Sequence, residues 1–74
     1  MNQALSGMIE VSINGEIRSV PEGTSLDALV RLLGLSRDRV AIEHNREVVR
    51  RGQWPEVRLG EGDRVEIVQF VGGG

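Results

Sequence analysis

The chain has 74 residues, of which 39% are hydrophobic and 27% are charged, and its formal net charge is −2. These values are typical of one small globular domain, too small to build a deep active-site cleft with its own walls. The slight acidic excess argues against a nucleic-acid binder, which needs clustered cations. The absence of cysteine excludes disulfides and thiolate sites and fits a cytoplasmic protein. No apolar run approaches the roughly 20 residues of a membrane span.

The patterned part of the sequence lies between two stretches of small residues. Residues 1–7 are small and mostly polar and lack the charge and apolar run of a signal peptide, so we expect a flexible leader there. Gly72, Gly73 and Gly74 end the sequence, and we expect a flexible tail because glycine costs the most entropy to order. One domain is predicted over residues 8–71.

The first predicted strand alternates apolar and polar residues, with Ile9, Val11 and Ile13 on one face. Asn14 and Gly15 follow, and they indicate a hairpin because both residues tolerate positive φ. A strict two-residue turn would pair Ile13 with Glu16 and send Ile17 to the wrong face. We therefore expect a three-residue loop with a glycine bulge, which pairs Ile13 with Ile17.

A helix is predicted after Pro21, which ends the return strand by removing a ladder donor. Thr24 or Ser25 can cap this helix, and Asp27 in its first turn is favoured by the helix dipole. Gly34 stands where a left-handed cap ends a helix. The spacing of the apolar residues predicts one buried stripe, formed by Leu26, Leu29, Val30 and Leu33.

The second half of the chain predicts three more strands. Alternation indicates a strand over residues 40–44, a turn at residues 45–47 and a brief return strand at residues 48–49. An irregular segment follows, in which we expect Trp54 to plug the edge of the core. The last strand is predicted over residues 64–71.

This element order predicts an α+β domain. A hairpin, a helix, a short hairpin and a final strand can form a mixed sheet of four to five strands packed on one helix. The first and last strands would lie side by side and parallel at the centre of the sheet. The expected architecture is a two-layer β-grasp (ubiquitin-like) roll.

The last strand carries apolar residues at positions that should face water. If Val65 and Ile67 face the core, then Val68 and Phe70 lie on the other face, unless a loop covers them. A cluster of exposed apolar side chains is typical of a contact surface. The predicted partner-binding face consists of Ala41, Val68, Phe70 and Val71.

The glycine tail suggests chemistry at the main-chain terminus. Glycine has the smallest cross-section, and the four residues from Val71 onward can extend roughly 13 Å from the sheet. The tail could thus carry the carboxylate of Gly74 into another protein's active site. A carboxylate is a poor electrophile, so an ATP-using partner with Mg²⁺ would have to activate it as an acyl-adenylate. The alternative is an idle, disordered end.

The C-terminal residues 64–74, RVEIVQFVGGG, resemble the end of the ThiS family, the sulfur carrier proteins of thiamine biosynthesis. The resemblance extends over residues 8–74. It includes Asn14 and Gly15, the GTS sequence at residues 23–25, the arginine before Gln53 and Trp54, and the turn at Gly62 and Asp63. The leader and His44 depart from the family pattern.

The resemblance implies a carrier that is acted on by enzymes and is not itself one. An E1-like, ThiF-like adenylating enzyme would activate Gly74 with ATP. Sulfur relayed through a desulfurase would convert the adenylate to a thiocarboxylate. A ThiG-like thiazole synthase would then take the sulfur for the thiazole ring. The carrier itself would hold no cofactor and no metal.

Other functions and residues remain open at this point. The small subunit of molybdopterin synthase, a tRNA-thiolation carrier, a ubiquitin-like modifier or a plain binding module with an idle tail would share much of the pattern. The shorter body and the Phe70–Gly74 ending favour thiamine. His44 has no second histidine or cysteine with which to bind a metal, and we expect a strand-end residue. Arg46, Arg50 and Arg51 predict a solvated hairpin rim.

Overall fold

The computed structural model describes residues 7–70. The predicted glycine tail, together with Val71, lies outside the described residues, as does the predicted leader apart from Gly7. The carbonyl of Gly7 accepts a hydrogen bond from the N–H of Glu22 at 2.7 Å. None of the helices formed by residues 7–70 has the length and hydrophobicity that spanning a bilayer requires.

Five strands and one α-helix form the domain. The strands are β1 (Met8–Ile13), β2 (Glu16–Pro21), β3 (Val40–His44), β4 (Glu47–Val49) and β5 (Arg64–Gln69), and the helix is α1 (Leu26–Leu32). Short 3₁₀ helices cover Arg37–Arg39 and Arg51–Glu56.

The strands form one mixed sheet in the order β2-β1-β5-β3-β4. Strands β1 and β5 are parallel and the other neighbours are antiparallel. Helix α1 and the inward side chains of the strands share one hydrophobic core. The α+β architecture is therefore confirmed, as is the parallel pairing of the first and last strands. Strand β5 is the central strand, and its first residues are held by neighbours on both sides.

The first hairpin has a different register from the one that the sequence predicts. Ile13 pairs with Glu16, and Ile17 pairs with Ser12, so the predicted three-residue loop that pairs Ile13 with Ile17 is wrong. Asn14 and Gly15 have φ angles of 50° and 85°, the positive values of a two-residue hairpin turn whose twist matches that of the strands. The turn chemistry thus sets the register, and Ile17 is left 68% exposed on an edge strand.

Helix α1 begins and ends as its sequence predicts. The Ser25 hydroxyl accepts a hydrogen bond from the N–H of Ala28 at 3.0 Å, which satisfies one free donor of the first turn. Asp27 lies in that turn. Gly34 follows the C-cap with a φ of 72°, which glycine adopts at little cost. The predicted stripe is buried at Leu26, Leu29 and Val30 and packs against the core at Leu33.

Trp54 closes the core, as predicted, from a 3₁₀ helix where the sequence indicates only irregular structure. Its side chain is 1% exposed, and its Nε1 donates to the carbonyl of Val49 at 3.0 Å. The guanidinium of Arg51 lies 5.6 Å from the centre of the indole ring and donates to the carbonyl of Arg37 at 2.8 Å. The prediction that Arg51 belongs to a solvated rim is wrong, because its cation packs on the aromatic face.

Candidate functional site

The end of β5 presents apolar side chains to solvent on the sheet face that points away from α1. Val65 and Ile67 are 0% and 8% exposed, whereas Val68 and Phe70 are 60% and 50% exposed. No loop within residues 7–70 covers Val68 and Phe70. The strand alternation therefore places these two side chains as the sequence predicts, although their role in binding a partner stays a prediction.

Two further apolar residues share this face. Ala41 lies directly opposite Val68 across the β3–β5 ladder, so the predicted pair is brought together. Val48 pairs with Glu43 on the same face and is 75% exposed, but our sequence reasoning missed it. A two-residue turn at Asn45 and Arg46 would have revealed it, because that turn points Val48 outward. We call Ala41, Val48, Val68 and Phe70 the outer apolar patch.

Charged side chains lie beside the outer apolar patch. A shallow groove of about 470 Å³ runs across β3, β4 and β5, and its lining includes Ala41, Glu43, Arg46, Val48, Arg64, Glu66 and Val68. Glu43 and Glu66 face each other across the β3–β5 ladder. The Nε of Arg64 lies 3.6 Å from a carboxylate oxygen of Glu66. The groove thus offers charges of both signs next to an apolar surface, a composition suited to recognition by another protein.

The hydrogen bonds between the β3 and β5 segments continue as far as Phe70, the last described residue. The N–H of Phe70 donates to the carbonyl of Arg39 at 2.8 Å, one residue beyond each strand. Phe70 is therefore held against β3 immediately before the four C-terminal residues. Those residues, Val71, Gly72, Gly73 and Gly74, lie outside the described residues, so the predicted thiocarboxylate position stays a prediction.

On its other side, β5 is held by the side chain of Asn14. The Oδ1 of Asn14 accepts from the N–H of Ile67 at 2.7 Å, and its Nδ2 donates to the carbonyl of Ile67 at 3.1 Å. The backbone N–H of Asn14 also donates to the carbonyl of Val65 at 2.8 Å. The sequence identifies Asn14 only as a turn residue. The contact with Ile67 spans 53 positions of the chain, and no local pattern shows it.

A polar cluster holds the opposite end of β5. His44 ends β3, as predicted, and its Nε2 lies 2.7 Å from Oδ2 of Asp63. Burial by itself raises the pKa of the Asp63 carboxyl. Hydrogen bonds from His44, from the backbone N–H of Gly60 and from Asn45, with the charge of His44, outweigh burial and hold that pKa below its ordinary value. The sequence did not predict this cluster either. Its contacts hold neighbouring segments together, which is a structural role.

Comparison with known proteins supports the geometry. The family model described as "ThiS family" matches residues 11–74. The thiamine biosynthesis protein ThiS from Geobacter metallireducens, which has a crystal structure, is 29% identical in sequence to this chain. It superposes with a TM-score of 0.77 over 89% of this chain and 100% of that one. A TM-score of this size at this identity shows that the two share their fold.

Two curated relatives differ in how much of their length the chain covers. The sulfur carrier protein ThiS of Bacillus subtilis is 31% identical over 65 residues, which cover 86% of this chain and 98% of that protein. The thiazole synthase of Magnetococcus marinus is 41% identical over 66 residues. Those residues cover 89% of this chain but only 20% of the synthase, so the chain spans about a fifth of that protein.

The fold and the site together define a class of protein. A five-stranded mixed sheet on one helix is a small β-grasp domain, and in this chain the last described residues of its central strand carry exposed apolar side chains. The family model covers most of the chain, including the last strand and the glycines. The chain belongs to the ThiS family.

Proposed function

We propose that this protein is a sulfur carrier of thiamine biosynthesis, acted on by enzymes and not itself catalytic. One observation supports the proposal above the others. The family match runs through residues 11–74, and it includes both the exposed end of β5 and the three glycines that follow. No cleft with its own catalytic side chains is needed, because the reacting group is the main-chain carboxylate of Gly74.

The proposed cycle loads and unloads that carboxylate. An E1-like adenylating enzyme, which supplies ATP and Mg²⁺, joins a carboxylate oxygen of Gly74 to the α-phosphate of ATP and releases pyrophosphate. The terminal sulfur of a persulfide formed by a desulfurase then attacks the acyl carbon and displaces AMP, which gives an acyl disulfide. A thiol attacks the outer sulfur of that S–S bond and is oxidised to a disulfide, and the thiocarboxylate is released. Positive charge in the partner's site stabilises the phosphate charge that develops during adenylation and the displacement of AMP. The carrier contributes a narrow chain end that fits into a confined site.

The outer apolar patch is the proposed docking surface for the adenylating enzyme and for the synthase. Val68 and Phe70 lie immediately before residues 71–74, so a partner that contacts them also receives the tail. Burying these two side chains replaces exposed apolar surface by protein contact, which is a favourable source of binding free energy. Glu43, Glu66, Arg46 and Arg64 beside the patch would select the orientation of the partner through charge complementarity.

Thiazole synthase is the proposed acceptor of the sulfur. The thiazole synthase of Magnetococcus marinus contains a stretch that is similar to this chain. The presence of a similar stretch within a synthase supports the proposal that carrier and synthase act together, because joining two modules raises their effective concentration. By analogy, the domain described here would bring its loaded terminus to a synthase by docking.

The test is the intact mass of the chain after incubation with ATP, sulfide and a ThiF-like adenylating enzyme from the same organism. Exchange of one oxygen for sulfur adds about 16 Da, and subsequent incubation with thiazole synthase and its other substrates should remove that gain. A variant that carries one extra alanine after Gly74 is the matched control and should show no gain in intact mass. An unchanged mass with an enzyme that loads a known ThiS protein would contradict the proposal.

A further inference from the structure

Two hairpin turns hold the last strand through asparagine side chains. Asn14 and Asn45 each take the first position of a two-residue turn, and each has a φ of 50°. The Oδ1 of Asn14 accepts from the N–H of Ile67 at 2.7 Å, and the Oδ1 of Asn45 accepts from the N–H of Arg64 at 2.9 Å. The two amides therefore clamp β5 at two points, with Asn45 at its start and Asn14 towards its end.

The Asn14 clamp ends the parallel ladder between β1 and β5. Two residue pairs form that ladder within residues 7–70, Ser12 with Arg64 and Ile13 with Val65. After them, the turn takes the chain away from β5. A side-chain amide has the same donor and acceptor as a peptide group. The Asn14 side chain thus takes the place of one more β1 residue and satisfies both main-chain groups of Ile67.

Beyond Ile67, the contacts of β5 become one-sided. Within residues 7–70, no residue of β1 pairs with β5 after Val65, whereas β3 continues to pair through Gln69. The N–H of Phe70 points to Arg39, on the β3 side of the strand. Because successive residues of a strand direct their main-chain groups to opposite sides, the N–H and carbonyl of Gln69 point to the β1 side, beyond the end of β1. Asn14 is therefore the last described contact that holds the β1 side of this strand before the C-terminal residues.

We infer that Asn14 is a positioning residue for the chain terminus. By fixing both main-chain groups of Ile67, its amide sets the direction in which the strand leaves the sheet, four residues before Val71. This inference rests on the proposed function, because it states how the carrier presents its terminus to the adenylating enzyme. A pre-aligned strand end needs less ordering at the moment of binding, so the loss of the clamp should weaken binding more than it slows the chemistry.

The experiment compares the variants Asn14→Gly and Asn45→Gly with the unchanged protein. Glycine keeps the positive φ that each turn requires and removes only the side-chain amide. For Asn14→Gly we expect KM for the carrier in the adenylation reaction to rise roughly threefold to tenfold, with kcat little changed, because part of the free energy of the two lost side-chain hydrogen bonds returns as a cost of ordering the strand on binding. For Asn45→Gly, whose amide acts at the far end of β5, we expect KM and kcat within about twofold of the unchanged protein.

A second measurement does not depend on the adenylating enzyme. Backbone order parameters from NMR relaxation should fall at Gln69 and Phe70 in Asn14→Gly but not in Asn45→Gly. If Asn14→Gly does not fold, Asn14→Asp is measured in its place. It keeps the acceptor for the Ile67 N–H and lacks the donor for the carbonyl, so its effects should have the same direction.

The outcomes separate the inference from the proposed function. Equal KM values for Asn14→Gly and the unchanged protein, or equal increases in both glycine variants, would overturn the positioning role while leaving the carrier function intact. If the unchanged protein is never adenylated, the proposed function fails. The order parameters then decide the inference: unchanged values at Gln69 and Phe70 overturn it, and lowered values confined to Asn14→Gly support it.

Discussion

Trp54 shows how much of a small core depends on one side chain. It is 1% exposed, its ring packs under two guanidinium groups, those of Arg37 and Arg51, each 5.6 Å from the ring centre, and its Nε1 donates to the carbonyl of Val49. The ring belongs to the hydrophobic core that the sheet and α1 share. Residue volume and a hydrogen bond are therefore lost together when it is truncated.

We expect Trp54→Ala to lower the free energy of unfolding by about 3–5 kcal/mol, because the substitution leaves a large cavity. Urea denaturation followed by circular dichroism measures this value. Val48→Ala is the control, since Val48 is 75% exposed, and it should change stability by less than about 0.5 kcal/mol. Similar losses in the two variants would show that the indole is not a core residue.

The carboxyl group of Asp63 is expected to make the stability of the folded protein depend on pH. Burial raises the pKa of its carboxyl, but the hydrogen bonds from His44, Gly60 and Asn45 lower it by more. Because the folded-state pKa lies below the unfolded value, the carboxylate stabilises the folded protein above the unfolded value of about 4. That stabilisation is lost as the pH falls through the lower, folded-state pKa.

We expect Asp63→Asn to flatten the pH dependence of stability below about pH 4 and to cost about 1 kcal/mol at neutral pH, because an amide cannot accept as many hydrogen bonds. Urea denaturation of both proteins at a series of pH values measures the two effects. A variant whose acid slope matches that of the unchanged protein would mean that the carboxylate of Asp63 does not contribute to acid unfolding.

At the scale of elements, helix α1 is short enough for its cap to matter. Only seven residues form it, Leu26–Leu32, and so short a helix is not stable in isolation. Its stability comes from the buried stripe and from the Ser25 hydroxyl, which accepts from the N–H of Ala28. Ser36 also precedes a helix, the 3₁₀ helix Arg37–Arg39, but its side chain makes no capping hydrogen bond.

We therefore expect Ser25→Ala to lower the free energy of unfolding by about 1 kcal/mol, whereas Ser36→Ala should change it by less than about 0.5 kcal/mol. Thermal and urea denaturation of the matched pair measure the difference. Equal effects would show that the loss comes from the serine-to-alanine change itself and not from the capping bond.

Strand β5 combines two different environments along its length. Near its start it is paired on both sides, with β1 and β3, and its inward side chains Val65 and Ile67 are buried. After Ile67, β3 is the one strand within residues 7–70 that pairs with it, and its outward side chains are exposed. The first part of β5 thus contributes to the core, whereas its end exposes main-chain groups and apolar side chains.

For the whole molecule, the two faces of the domain carry exposed apolar residues with different expected roles. Val68 and Phe70 lie on the outer sheet face beside the chain terminus, whereas Leu32 is 59% exposed on α1, on the other side of the sheet. If the outer apolar patch is the docking surface, substitutions there should affect partner binding but not folding. The same truncation on the helix should affect neither.

We expect Phe70→Ala to weaken binding to the adenylating enzyme by about tenfold or more, because aromatic anchors contribute strongly to interfaces. Isothermal titration calorimetry measures the affinity, and urea denaturation checks that stability changes by less than about 1 kcal/mol. Leu32→Ala should bind as the unchanged protein does. A loss of affinity that is equal in both variants would place the docking surface elsewhere.

The sequence alone determined the parts of this protein that depend on local periodicity and turn chemistry. Alternation gave the strands and the outward direction of Val68 and Phe70, and the spacing from Leu26 to Leu33 with Ser25 and Gly34 gave the helix. The prediction from the sequence was wrong where two local signals conflicted. At the first hairpin, the apolar pattern favoured Ile17 inside, but the turn formed by Asn14 and Gly15 decided the register.

Only the tertiary structure decided which distant groups meet. The contact of Asn14 with Ile67 spans 53 positions, and that of His44 with Asp63 spans 19. Each depends on which strands become neighbours and in which register, and these are properties of the whole sheet and its shared core. Local sequence fixes the conformation of a segment because the interactions concerned are within a few residues, whereas a clamp between segments exists only once packing has brought them together.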